Sequence, residues 1–214
     1  GVGKTTLIDA LATATGNRLT RINLSEQTDL VDLFGSDLPV DGGVAGRFRW
    51  ADGPFLQALK RGDWILLDEL NLASQSVLEG LNACLDHRAS VFIPELNKEF
   101  QCSPGTRIFA AQNPAGQGGG RKGLPKSFLN RFTVVWFDSL MSVDYQVILM
   151  AATVAAGMSN ILNREDVDKM IEFNETLNSN ASKFSSNGRP WEFNLRDLTR
   201  WVRLIQTYSK AGNY

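Results

Sequence analysis

The run Gly1, Val2, Gly3, Lys4, Thr5, Thr6 carries the closing part of G-x-x-x-x-G-K-[ST], the pattern of a phosphate-binding loop. Such a loop needs glycine where backbone must approach phosphate oxygens, a cation for the β- and γ-phosphates, and a hydroxyl for magnesium. Gly1 and Gly3, Lys4 and Thr5 supply those residue types in that order. The G-K-T triplet alone recurs by chance. The sequence opens in mid-motif, so a strand and the first glycine of the loop are expected just upstream of Gly1.

A second element gives the loop its meaning. "WILLDE", residues 64–69, reads as a buried strand presenting Asp68 and Glu69 at its C-terminal edge, where ligands sit in open α/β sheets. There Asp68 can hold magnesium through water, and Glu69 can polarise an attacking water as general base. Without the glycine loop the same pair reads as surface carboxylates after a strand. Asn113 ends "IFAAQN". From a neighbouring parallel strand its amide can orient the water or contact the γ-phosphate; the plainer reading is an asparagine opening a turn before Pro114. Arg131, in "LNRF", either pairs with carboxylates of its own surface or acts as a finger on a neighbouring subunit's nucleotide. Arg196 can reach back toward the γ-phosphate, with Arg200 one turn away as a competitor.

Other signals carry less. "GGGRKG", residues 118–123, matches the dinucleotide pattern G-x-G-x-x-G, but "QNPAGQ" separates it from the preceding strand and removes the tight strand-to-helix turn the motif requires. A flexible basic loop carrying Arg121 and Lys122 is the better reading, with Phe128 and Phe132 in the core rather than stacked on bases. Lysine and arginine total 22 against 23 acidic residues, a net charge of −1 that provides no general electrostatic hold on nucleic acid. Cys84 and Cys102 form no C-x-x-C pair, and His87 is the single histidine, so a zinc cluster is not expected and the cysteines read as buried thiols. No run of 18 or more apolar residues requires a membrane. The N-x-[ST] matches at Asn23, Asn174 and Asn180 are short enough to be chance.

Elements must position these groups. "TTLIDALATATG" puts Leu7, Ile8, Leu11 and Ala14 on one helical face and ends at Gly16; a helix starting at the loop directs free N–H groups and its dipole at phosphate. "RLTRINLS" reads as a strand, "TDLVDLFG" as a helical turn, Gly35 to Trp50 as an inserted loop or hairpin, and "FLQALKRG" as a helix. Ser74 caps a helix whose inner face is Val77, Leu78, Leu81 and Leu85. "SVFIPELNKEFQC" reads as two short strands, "TRIFAAQNP" as a core strand, "SFLNRF" as a helix and "TVVWF" as a further strand. From about Ser142 strands disappear; "NREDVDKMIEFNETL" and "NLRDLTRWVRLIQTY" are amphipathic helices joined by the polar "NSNASKFSSNGRP". With 43% hydrophobic residues in 214, the expected organisation is an α/β domain at 1–140 and a smaller helical one at 141–214.

In order, "GVGKTT", "WILLDE", "AAQN", "LNRF" and "LRDL" resemble the motif set of the AAA+ ATPases: phosphate loop, magnesium-binding strand, first sensor, arginine finger and second sensor. The resemblance covers nearly the whole chain. It implies a P-loop NTPase core of parallel sheet flanked by helices, with a C-terminal helical lid. It also implies ATP and Mg2+ as cofactors, with Gly1 through Thr6 on the nucleotide, Thr5 and Asp68 on the metal, and Glu69, Asn113, Arg131 and Arg196 in catalysis. "INLSEQTDLVDLFGSDLPV", "GDWILLDELNLASQSVLEGLNACLDHRASVFIPE" and "FAAQNPAGQGGGRKGLPKSFLNRF" narrow it to the dynein-related AAA+ proteins of ribosome assembly. That likeness implies one unit of a tandem ring, with neighbouring AAA+ units of the same polypeptide and nuclear precursors of the large ribosomal subunit as partners, no direct nucleic-acid contact and a nuclear location. Two rival readings are a unit that holds nucleotide without cycling and a stand-alone MoxR-like AAA+ chaperone.

Overall fold

The computed structural model describes residues 2–39, 48–86, 89–113, 123–180, 183 and 193–211. The chain divides into two compact units, one spanning Gly3–Val135 and the other running from Trp136 onward.

The first unit is built on a parallel sheet of order β1 (Leu19–Asn23), β4 (Trp64–Asp68), β7 (Arg107–Ala110). Its central strand is apolar up to Asp68: Ile65, Leu66 and Leu67 are fully buried, as expected of a parallel strand covered on both faces. Register brings the C-terminal ends together, with Asn23 opposite Asp68 and Leu67 opposite Ala110. Two bonds extend the ladder past the strands: Leu24 N–H donates to the Asp68 carbonyl and Ala111 N–H to that of Leu67.

Helices cover this sheet because their apolar residues fall on one face. α3 (Pro54–Arg61) buries Phe55, Leu56, Ala58 and Leu59 to 1% exposure or less and ends at Gly62. Each of its large side chains contributes roughly 1.5–3 kcal/mol of transfer free energy. α4 (Gln75–Leu85) is capped by Ser74, whose hydroxyl accepts from Val77 N–H, and buries Val77, Leu78 and Leu81. α2 (Leu30–Phe34) adds Leu33 and Phe34 to the same core. α5 (Lys126–Leu129) contributes Phe128, and Phe132 packs against it.

Two antiparallel hairpins stand outside the sheet. β2 (Gly35–Pro39) and β3 (Phe48–Asp52) bracket the segment read as an insertion, so its ends form a hairpin; residues 40–47 lie outside the described set. β5 (Ser90–Ile93) and β6 (Lys98–Gln101) are joined by a 3-10 turn at Pro94–Leu96, with Asn97 left-handed at φ 46°.

The structure corrects two sequence expectations here. "TVVWF" forms no strand: residues 133–137 have no ladder partner among the described residues, and Val135 and Trp136 are 70% and 86% exposed. β-branched and aromatic residues favour a strand only where a neighbouring strand takes up their backbone groups. In α1 (Lys4–Ala14), Leu7 and Leu11 are exposed and Ala12 is the buried residue, with Thr5 and Ile8 half-buried. Thr5 faces Asp68, and that contact sets the helix's rotation.

The second unit is helical, with α6 (Ser142–Ala155), α7 (Arg164–Ser179) and α8 (Leu195–Lys210) around Leu149, Val167, Met170, Ile171, Leu198 and Val202. Asn163 and Asn194 cap α7 and α8 through their side chains, and an aspartate three residues on returns each bond, completing capping boxes. Asn174 is 6% exposed, which suits a core position and not a glycan.

Candidate nucleotide site

Gly3 starts the site. Its φ of 83° lies in the left-handed region that glycine enters without strain, and from there the chain turns directly into α1. Leu7 N–H donates to the Gly3 carbonyl, so the helix begins at once and Lys4 and Thr5 occupy its first turn. The helix carries no acidic residue in that turn and no side-chain cap, which leaves its positive end available to an anion.

Lys4, Thr5, Asp68, Glu69 and Asn113 come together at the C-terminal edge of the parallel sheet. Thr5 Oγ1 donates to Asp68 Oδ2 at 3.1 Å. Lys4 Nζ donates to Asn113 Oδ1 at 2.8 Å and also to the Gln112 carbonyl. The Asn113 amide then donates from Nδ2 to Glu69 Oε1 at 2.7 Å. One side chain therefore bridges the lysine and the second carboxylate, using its acceptor on one and its donor on the other.

Glu69 takes an unusual backbone conformation to make this contact. Its φ and ψ are 56° and 40°, left-handed for a residue with a Cβ. Glu69 N–H donates to Asp68 Oδ1 at 3.0 Å, Leu70 N–H donates to the Ala111 carbonyl, and Leu72 N–H donates to Glu69's own carbonyl. These bonds fix a kink immediately after β4 that turns the two adjacent carboxylates to different neighbours, Asp68 to Thr5 and Glu69 to Asn113.

Two residues of the site lie outside the sequence-based set. Arg21, on β1, donates from its guanidinium to Asp68 Oδ2 at 2.6 Å. Asn71, 3% exposed, donates from Nδ2 to the Asn113 carbonyl at 2.9 Å and so braces the residue that bridges Lys4 and Glu69. Among the described residues its Oδ1 is buried without a partner. Arg21 is reachable from sequence only through the parallel register of β1 on β4, and Asn71 only through the kink after Glu69.

Gly1 is outside the described residues. Val2 is half-buried and Thr6 exposed. Arg131 follows α5, is exposed and joins none of the hydrogen bonds described above. Arg196 belongs to the second unit, where its side chain is exposed and its backbone N–H donates to the Asn194 cap. The basic loop with Arg121 and Lys122 is outside the described residues.

The donor set suits magnesium. A hydroxyl and a carboxylate oxygen 3.1 Å apart match an ion held by one or two protein oxygens together with substrate phosphates and water. Among the described residues no group of three or more His, Cys, Asp or Glu converges to form an all-protein metal cage. A cation here would rely on the nucleotide for the rest of its shell.

Comparison with known proteins gives a concordant picture. Residues 1–132 match the family model described as AAA domain (dynein-related subfamily), and residues 152–213 match the Midasin AAA lid domain. Midasin of Dictyostelium discoideum is 59% identical over 208 residues, 96% of this chain and 3% of that protein. Midasin of Giardia intestinalis is 49% identical over 209 residues, 97% of this chain and 4% of that protein. The chain thus spans a small fraction of the length of these relatives. A solved structure from Cytophaga hutchinsonii is 18% identical with a TM-score of 0.49, covering 94% of this chain and 72% of that one.

Proposed function

The chain belongs to the dynein-related AAA family, and from that premise we propose that it binds ATP with Mg2+ and hydrolyses it as one unit of a larger midasin-like ring. The observation that carries the reading is the Asn113 amide, bonded to Lys4 at 2.8 Å and to Glu69 at 2.7 Å. It links the group that would hold phosphate to the group that would activate water.

In this reading the helix end at Gly3 and the Lys4 ammonium take the β- and γ-phosphates, with the backbone from Gly1 to Thr6 around them. Thr5 and Asp68 hold the cation, which when bound offsets charge on the phosphate oxygens. Glu69 accepts a proton from the attacking water as the new oxygen–phosphorus bond forms and the bond to the β-phosphate oxygen breaks. Asn113 orients Glu69 and senses the γ-phosphate. Arg196 reports nucleotide state to the helical lid, and Arg131 acts on the neighbouring unit's nucleotide. The match of residues 152–213 to a midasin lid supports assigning α6–α8 to that lid.

At the level of the whole protein, the relatives' length supports a unit flanked by others in the same polypeptide. We extend the midasin likeness to ATP-driven removal of assembly factors from precursors of the large ribosomal subunit in the nucleus.

The test is nucleotide exchange at this site in the full-length protein, wild type against Glu69→Gln, with labelled ATP. Exchange in the wild type and trapped ATP in the variant is the expected result. The same nucleotide retained indefinitely by both would overturn hydrolysis here and leave a non-cycling, ring-stiffening unit. A native polypeptide of about this length that self-assembles would instead favour a MoxR-like chaperone.

A further inference from the structure

Asp68 Oδ2 has two suitors. It accepts from Thr5 Oγ1 at 3.1 Å and from the Arg21 guanidinium at 2.6 Å. The carboxylate is largely enclosed, at 13% side-chain exposure, whereas the Arg21 side chain is 54% exposed. Arg21 therefore reaches in from solvent over the sheet edge and ends on the oxygen nearest Thr5. It does so from β1, two residues before Asn23, the register partner of Asp68.

The opposite end of β4 provides a comparison within the same molecule. Asp63, 5% exposed, accepts from Thr20 at 2.9 Å and from Arg61 at 2.9 Å, with Arg18 at 3.7 Å. All of these contacts fall on its Oδ2, and among the described residues no lysine joins Thr20 there. Asp68 also holds an arginine, but at an edge where Lys4, Thr5 and Glu69 gather. With Lys4 and Arg21 positive and Asp68 and Glu69 negative, the formal charge of the cluster is balanced by the protein alone.

We propose that Arg21 is a placeholder for the divalent cation. It neutralises Asp68 while the cation is away and must leave Oδ2 when a cation, or a water of its shell, takes that oxygen. A cation at 2.0–2.1 Å from its ligands, or its bound water, cannot share the lone pairs facing Thr5 with a guanidinium in hydrogen-bond contact. The exposed stem of Arg21 gives it an open route back into solvent. Competition for one oxygen makes cation binding weaker than Thr5 and Asp68 alone would make it, and Arg21 thereby sets how much divalent cation the site requires. This inference rests on the nucleotide reading above.

The experiment is a Mn2+ titration of the full-length protein at saturating ADP, following free Mn2+ by electron paramagnetic resonance. Four proteins are compared: wild type, Arg21→Gln, Asp68→Asn and Arg18→Gln. The expected result is that Arg21→Gln lowers the Mn2+ midpoint of this site about fivefold, the scale of releasing one partly exposed ion pair. Arg18→Gln, at the far end of the strand, leaves the midpoint in place. In the absence of cation, Arg21→Gln should also lower the melting temperature, and Mn2+ should restore it. An unchanged midpoint in Arg21→Gln overturns the placeholder role, and a raised midpoint does so by making Arg21 a phosphate ligand. Asp68→Asn separates this from failure of the nucleotide reading: it should remove one Mn2+–ADP site, and if it removes none, the site itself is misassigned.

Discussion

Glu69 holds a left-handed backbone at φ 56°, a conformation that costs a residue with a Cβ on the order of 1–2 kcal/mol. Such strain persists where surrounding bonds over-determine it, and here they come from Asp68, Ala111 and Leu72. Glu69→Gly should therefore leave stability unchanged or raise it by up to about 1 kcal/mol in chemical denaturation, while ATP turnover at this site disappears. Asn71→Ala removes the bond that supports the Asn113 carbonyl. It should destabilise the first unit by about 1–3 kcal/mol and slow turnover, read by denaturation and steady-state assay. A thiol pair offers an independent check on local geometry. The free thiols of Cys84 and Cys102 share a hydrogen bond that lowers the Cys102 pKa and, together with burial, raises that of Cys84. The lowered pKa keeps Cys102 ionised to lower pH than an ordinary thiol. As pH rises from 6 to 9, a thiol-specific alkylating reagent should modify Cys102 first, and Cys84 should stay protected until the fold opens.

The elements that carry Lys4, Asp68 and Asn113 were legible because each is a short apolar run ending in a polar residue or a glycine stop, and local pattern is enough to recognise that. The rotation of α1 was not legible. Its sequence offers Leu7 and Leu11 as a plausible inner face, yet Thr5 must meet Asp68, which lies 63 positions away, and this tertiary bond decides which face turns inward. For the same reason Arg21 was not found: nothing local to "RIN" announces that its strand pairs in parallel with residues 64–68. "TVVWF" failed in the opposite direction, since its composition suits a strand but no partner strand stands beside it among the described residues. Among the described glycines, Gly35 and Gly53 at the base of the β2–β3 hairpin leave the least room beside backbone. A Cβ on Gly53 would stand 2.4 Å from the Leu33 carbonyl oxygen, and one on Gly35 would stand 2.2 Å from that of Ala51. Both obstacles are backbone, which cannot swing aside. Gly53→Ala should cost at least about 3 kcal/mol, seen as a fall in melting temperature, whereas Gly123→Ala, with nothing nearby, should be close to neutral.

Across the whole molecule the two units have separate apolar cores, one centred on β4 and α3, the other on Leu149, Val167 and Val202. Leu149→Ala, at a fully buried position, should cost about 2–5 kcal/mol. The loss belongs to the core of α6, α7 and α8 and should appear as reduced amide hydrogen-exchange protection in those helices. Strand-spaced apolar runs give way to helix-spaced ones after Ser142, because helices and strands bury different spacings of the same residues. The family matches follow the same division, with the α/β model ending at residue 132 and the lid model beginning at 152.

The contacts of Asn113 have a consequence for how the protein is made. Its partner Lys4 lies 109 positions earlier in the chain, and the pairing of Thr5 with Asp68 spans 63. During synthesis the phosphate loop emerges first and then waits, because the strand that supplies its last partner is not yet translated. In the nucleotide reading proposed above, ATP would meet through that interval a helix end that still lacks the Asn113 amide. On that reading, ATP binding should strengthen once β7 has docked on β4, measurable as nucleotide retention by stalled chains that include or lack residue 113. On the same reading, a ligand that binds only the closed sheet would stabilise completed chains in preference to half-made ones.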